Sequence, residues 1–254
     1  MNAPGKTIVS LRDVGKTFEN GTVALDRFNL VVGDGEFVSL LGPSGCGKST
    51  ALRLIAGLSA PSQGEVAGPS SAGKLGFVFQ EPTLMPWADV AANVRLPLKL
   101  AGADNAHSHT AAAQALNRVG LAEFAHSYPR ELSGGMRMRT SIARALVTEP
   151  ELLLMDEPFA ALDEITRFKL NNDLLDLWQT LRRTVIFVTH SVFESVYLSR
   201  RIVVMTPRPG RVFAEIAIPA AYPRDERFRT SSEYAGFCRT VSEALSQAMA
   251  GGVS

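Results

Sequence analysis

Cysteine is too scarce here to build a disulfide scaffold: Cys46 and Cys238 are the only two in 254 residues, and they lack metal-ligand spacing. Two such thiols suit a reducing compartment. Excess charge is missing as well, with 26 Lys plus Arg against 25 Asp plus Glu and a formal net charge of +1. No overall field therefore argues for nucleic acid or for an acidic partner, and any partner must be recognised locally. No uninterrupted apolar run approaches the roughly 20 residues that a helix needs to cross a bilayer. Met1 to Ser10 holds no apolar stretch behind a basic end, the pattern of a secretory signal. These absences predict a chain that is cytosolic or at most peripheral to a membrane. There is no internal repeat.

What is present has an order. Short strand-like runs at Ile8 to Leu11, Val23 to Leu30 and Phe37 to Leu41, punctuated by Gly21, Gly33 and Gly35, predict an antiparallel flap beside a larger core. Ala51 to Leu58 reads as a helix closing at Gly57 and a turn over Pro61 to Gly64. Leu75 to Phe79 is another apolar run, after which Glu81 to Glu131 turn alanine-rich and helical, as in Ala111 to Val119, without a convincing strand. From Ser133 onward helix alternates with apolar runs at Leu152 to Met155 and Val185 to Val188, the kind that become buried parallel strands. That alternation predicts a layered α/β core. Ile202 to Met205 and Ile216 to Ile218 read as further strands around a Pro207 to Gly210 turn, and a tail from Asp225 ends in a helix through Ala244, Leu245 and Met249. The division expected is a core over 1–80 and 133–215, a helical insert over 81–132 and a tail over 216–254, all within a single domain.

The most specific signal is Gly42-Pro43-Ser44-Gly45-Cys46-Gly47-Lys48-Ser49, followed by Thr50: two glycines bracketing four residues, then lysine and a hydroxyl. Glycines let backbone N–H groups converge on a triphosphate, and the following helix presents its positive end. Lys48 would bring a mobile cation to the β and γ phosphates, and Ser49 a hydroxyl ligand to Mg²⁺. A chance glycine turn is the competing reading, and the strand and helix on either side argue against it. Cys46 reads as a small residue tolerated in the loop rather than as a redox group. Leu152-Leu153-Leu154-Met155-Asp156-Glu157 then places two acids where a buried strand emerges: Asp156 for Mg²⁺ and Glu157 as the base that polarises the attacking water. Leu132-Ser133-Gly134-Gly135-Met136 opens a helix and forms a second anion-binding end, which alone would be an ordinary helix cap. With one lysine-bearing loop only, that second end points to a nucleotide held by another chain.

In their order these motifs resemble the nucleotide-binding subunit of ATP-binding cassette (ABC) transporters, over nearly the whole chain. The resemblance implies a P-loop NTPase core of mainly parallel sheet with an antiparallel β flap and an inserted helical subdomain. It implies ATP and Mg²⁺ as cofactors, and a head-to-tail homodimer in which Ser133 to Met136 close over ATP on the partner's P-loop. Asp163 matches the loop joining the two sites. Gln80 matches the glutamine that contacts Mg²⁺, and His190 the histidine that senses the γ-phosphate. Phe18 stands where the family more often carries a tyrosine stacked on adenine, against the competing reading of a core phenylalanine. One departure follows the signature: Met136-Arg137-Met138-Arg139-Thr140, where many relatives have Gln-Arg or Arg-Gln combinations.

Gln80-Glu81-Pro82-Thr83-Leu84-Met85-Pro86-Trp87 puts Leu, Met and Trp where the family docks membrane-subunit helices; packing within the helical insert is the rival reading for Leu84 and Trp87. That wording, with Thr206-Pro207-Arg208-Pro209-Gly210-Arg211 and the Arg224 to Arg229 tail, resembles the branch serving nitrate, sulfonate and taurine importers, with relatives for thiamine precursors. The expected partners are integral membrane permease subunits and, indirectly, a solute-binding protein, with no nucleic acid, at the cytoplasmic face of the inner membrane. The leading expectation is a transport ATPase. A soluble ABC ATPase acting on nucleic acid or ribosomes is the alternative, against which the chain lacks a second cassette, long coiled-coil inserts and a basic footprint. A small-molecule kinase is disfavoured by the signature loop and by Glu157 beside Asp156. His107 and His109, in a polar helix-flanking loop, lack further zinc ligands and are expected to face solvent.

Overall fold

The computed structural model describes residues 6–69 and 74–251. Met1 to Gly5, half of the segment read for a leader, and Gly252 lie outside the described residues. The chain divides into two units, Met1–Pro69 with Arg182–Ser254 and Ser70–Leu181.

In the first unit β1 (Thr7–Thr17), β2 (Val23–Gly33) and β4 (Gln63–Ala67) form an antiparallel sheet in the order β2-β1-β4. A hairpin joins β1 to β2, closed by Phe18 N–H to Thr22 O at 2.9 Å, with Gly21 at φ +79°. Strand β4 begins inside the turn expected over residues 61–64. Its sequence, Gln-Gly-Glu-Val-Ala, has no period-two apolar pattern to announce it, and Gly64 is what lets it approach β1. A Cβ there would lie 2.3 Å from Asp13 O.

Phe37–Leu41 does not join this flap as expected: as β3, buried along its whole length, it pairs in parallel with β7 (Thr184–Thr189) and β8 (Arg201–Met205), and β9 (Val212–Ala217) adds antiparallel to β8. Every residue of β3 and β7 is buried, which is why these runs are mostly apolar, broken only by Ser39 in β3 and by the threonines that end β7, rather than alternating. Each fully buried Val, Leu or Ile contributes about 1.5–3 kcal/mol over an exposed one. Helix α1 (Lys48–Ile55) follows β3 directly and starts three residues before the expected Ala51. It stops where Gly57, at φ +69°, turns the chain and Leu58 N–H and Gly57 N–H bond back to Arg53 O and Leu54 O. Helices α6 (Val192–Leu198), α7 (Glu226–Arg229) and α8 (Ser232–Ala250) complete this unit.

In the second unit β5 (Leu75–Val78) and β6 (Leu152–Asp156) pair in parallel. Helices α2 (Val90–Leu100), α3 (Asn105–Arg118) and α4 (Gly134–Leu146) pack around a core that includes Val90, Val94, Leu116, Leu132, Ala143 and Val147, and α5 (Glu164–Leu181) belongs to the same unit. His107 and His109 lie on α3 rather than in a flanking loop, because Asp104 caps that helix through His107 N–H at 2.8 Å. Both side chains are exposed as expected, and His109 contacts Arg95 on α2. The result is an α/β fold, mostly parallel in its buried strands, with an antiparallel flap and a helical insertion.

Candidate nucleotide site

The first unit carries the loop between β3 and α1. Gly42 is boxed in, since a Cβ would sit 2.9 Å from Cys46 Sγ and 3.2 Å from Met205 O. Gly47 is the N-cap of α1 at φ +101°, and a Cβ there would meet Ala24 O at 2.7 Å. Only glycine fits, by sterics and by backbone conformation. A glycine N-cap supplies no side chain to cap the helix, so the start of α1 keeps its positive end for a ligand. Lys48 is 4% exposed, and its Nζ donates to Gly42 O at 2.8 Å and Pro43 O at 3.0 Å, arched over the loop. Ser44 and Gly45 face solvent, and Cys46 is buried, as a packing residue would be.

Two more expected site residues belong to this unit. Phe18 sits at the tip of the β1–β2 hairpin, 43% exposed, with Lys16 Nζ 5.6 Å from its ring centroid. That exposure removes the core reading. His190 is exposed at the end of β7, held between Thr189 and Ser191. Ser191 caps α6, and Thr189 Oγ1 accepts from Ser191 N–H at 2.9 Å while donating to Glu194 Oε2 at 2.6 Å.

The second unit carries the rest. Asp156 ends β6, buried, and Glu157 follows half-buried at φ +45°. A non-glycine residue held there costs about 1–2 kcal/mol, and such outliers gather at functional sites. Gln80 is exposed just beyond β5. Ser133 caps α4, its Oγ accepting from Met136 N–H at 3.3 Å. Gly135 is required by packing, since a Cβ would lie 2.9 Å from Thr166 Cγ2 on α5, and Gly134 lies against Leu162. Asp163 caps α5 through Thr166 N–H at 2.9 Å, and that bond to its ionised form holds its carboxyl below the usual range.

Sequence reasoning missed the anchors of the loop after Gln80. Asn93, fully buried on α2, accepts Met85 N–H at 2.7 Å and donates to the carbonyls of Met85, Ala88 and Asp89. Arg144 on α4 donates to Pro82 O at 2.7 Å and Thr83 O at 2.9 Å. The one available signal was an asparagine on the apolar face of α2. The anchored loop presents Trp87, 76% exposed, whereas Leu84 is half-buried, so the two readings offered for these residues part company. No helix of the described residues is long and apolar enough to cross a membrane.

The pattern of the ABC transporter family matches residues 25–160. An ATP-binding protein of Brucella abortus is 47% identical over 232 residues, covering 89% of this chain and 88% of its own. The aliphatic sulfonates import ATP-binding protein of Bacillus cereus is 42% identical over 235 residues, 89% of this chain and 92% of its own. Among solved structures, an ATP-binding cassette captured as a dimer in a post-hydrolysis state with ADP and Pi matches with a TM-score of 0.74 at 34% identity, covering 84% of this chain and 100% of that one. The chain belongs to the ABC transporter family, as an ATP-binding cassette that hydrolyses ATP.

Proposed function

We propose that this cassette energises an importer of nitrate, a sulfonate, taurine or a related small solute, as a homodimer bound beneath integral membrane permease subunits at the cytoplasmic face of the inner membrane. A solute-binding protein would deliver the solute from the other side. The likeness to the Bacillus cereus sulfonate-import protein, 42% over 89% of the chain, carries this reading. Trp87 supports it: a large aromatic, 76% exposed, at the rim of a cavity of about 670 Å³ shared with Met85, Ala92, Arg95, Leu96 and His109 suits an inserted permease segment.

In this reading residues 42–50 wrap the triphosphate, Lys48 pairs with the β and γ phosphates, and Phe18 stacks on adenine. Ser49, Gln80 and Asp156 offer hydroxyl, amide and carboxylate oxygens, an all-oxygen set that fits Mg²⁺ and excludes soft metals. The metal would neutralise charge on the β and γ phosphates. Glu157 takes a proton from the attacking water as the water oxygen bonds to the γ phosphorus. The bond from that phosphorus to the bridging oxygen breaks, leaving ADP and inorganic phosphate. His190 hydrogen-bonds the γ-phosphate. Ser133, Gly134, Gly135 and Met136 close over ATP held by the second copy, and Asp163 links the two sites.

The test is an affinity pull-down of the chain from detergent-solubilised membranes of its native host, read by mass spectrometry. Recovery of a permease supports the proposal, and the solute-binding protein that accompanies it names the solute. Ribosomes or nucleic acid without a membrane protein would overturn it.

A further inference from the structure

Outside the nucleotide loops, Arg224, at the start of the C-terminal tail, is a heavily bonded side chain. It is 4% exposed. Nη1 donates to the carbonyls of Val196 at 2.8 Å, Tyr197 at 3.0 Å and Ser199 at 2.9 Å, and Nη2 to Ile218 at 3.2 Å and Ala220 at 3.1 Å. The guanidinium lies 4.2 Å from the centroid of the Tyr222 ring and 5.3 Å from that of Phe228.

Three of those carbonyls end helix α6 or cap it. They are the groups that a helix leaves without an internal partner, at the end where its dipole favours a cation. The tail grips α6 elsewhere too. Tyr222 Oη donates to Leu198 O at 2.9 Å, Tyr197 Oη to Arg224 O at 2.7 Å, and Tyr234 Oη, from α8, to Phe193 O at 2.9 Å in the first turn of α6. Ser199, the C-cap of α6, also shares a hydroxyl bond with Ser39 on β3.

The other end of α6 begins two residues after His190, with Ser191 between them as its N-cap. Thr189 and Ser191, the residues on either side of His190, are tied to that first turn through Glu194. Seven residues of helix make a rod about 10 Å long, so a shift or rotation at the clasped end is passed to the segment carrying His190.

We propose that Arg224 is a positioning residue for ATP hydrolysis: by clasping the carbonyl end of α6 it sets where the His190 imidazole stands against the γ-phosphate. This rests on reading His190 as the γ-phosphate sensor. It gives the tail a task in turnover rather than in solubility or fold alone.

The test is steady-state ATP hydrolysis by the full chain for Arg224→Lys, His190→Ala and the double variant, well below each melting temperature. Lysine keeps the charge but cannot reach five carbonyls from one planar group. Displacement of a reacting group by about 1 Å can cost on the order of 100-fold, and Arg224→Lys is expected to lower kcat about tenfold with KM for ATP within about twofold. The double variant should be no slower than His190→Ala. Should Arg224→Lys fail to fold, Tyr234→Phe, which deletes one bond to Phe193, takes its place and should lower kcat about threefold. Wild-type kcat in the folded tail variant, or a double variant slowed by the product of the two single losses, overturns the proposal while leaving His190 in place. Wild-type kcat in His190→Ala overturns the reading of His190 itself, and the proposal with it.

Discussion

Replacing Phe18 by alanine should weaken ATP binding without weakening the fold. The ring is 43% exposed, and the turn beneath it is closed by main-chain bonds, Phe18 N–H to Thr22 O and Gly21 N–H to Phe18 O, both 2.9 Å. What the fold loses is half of an exposed ring contact and the approach of Lys16 Nζ at 5.6 Å, an exposed cation–π pair worth about 0.5–1 kcal/mol. For a chain of this size the melting temperature should fall by no more than about 2–4 °C. Stacking of an aromatic on a base is worth about 1–3 kcal/mol, so the Kd for ATP should rise about 5- to 150-fold. Titration calorimetry with ATP and with tripolyphosphate separates the two: ATP should weaken and tripolyphosphate, which has no base, should not. Phe18→Tyr should bind ATP as the native chain does. Equal weakening of both ligands, or of neither, would refute the stacking assignment.

Three further outcomes are expected. Glu157→Gln keeps the side-chain volume at φ +45° but loses the proton acceptor; ATP should still bind while hydrolysis falls about 10²–10⁴-fold, with a nucleotide-bound dimer accumulating on gel filtration. Trp87→Ala, 76% exposed, should leave the ATPase rate and melting temperature of the isolated chain unchanged while the pull-down loses its permease. Burial raises the pKa values of Tyr222, Tyr234 and Cys238 above their ordinary values of 10.0, 10.0 and 9.0. The folded chain therefore keeps protons that the unfolded chain releases. The stability they give is full below about pH 9 and should drain as pH climbs through 9 and 10 towards the higher folded values. A melting temperature that is flat from pH 8 to 11 would contradict that sign.

The readable parts of the chain were those whose cause is local. A strand buried on both faces is an unbroken apolar run, so residues 152–155 and 185–188 declared themselves, and a loop that converges on phosphate needs glycines at fixed intervals. Strand β4 was silent because it is polar, and its pairing with β1 depends on Gly64 letting two backbones meet. Arg224 was silent for a different reason. Its acceptors are main-chain carbonyls 4 to 28 residues away, and no side-chain pattern marks a carbonyl. Asn93 and Arg144 fall between these cases: their types are unusual on a packed helix, but the loop they hold carries no complementary motif.

Residues 206–211 show how a likeness of wording becomes a physical statement. As sequence, Thr-Pro-Arg-Pro-Gly-Arg marked a turn and a branch of the family. In the structure it is the floor of the loop between β3 and α1. Gly210 N–H donates to Ala24 O at 2.9 Å, Arg208 Nε donates to Gly45 O at 3.2 Å, and Arg211 is paired with Asp26 on β2. A Cβ on Gly210 would fall 2.0 Å from Cys46 O, inside the loop, and 3.0 Å from Met205 Cε. The methionine tip can move, whereas the Cys46 carbonyl cannot without displacing the residues that precede Lys48. Gly210→Ala should therefore raise the Kd for tripolyphosphate and for ATP by the same factor, at least about tenfold, the cost of roughly 1.4 kcal/mol of loop distortion. Arg208→Ala, which removes one exposed bond, should change both by less than about fivefold. If Gly210→Ala binds both ligands as the native chain does, the loop rests on something other than this floor.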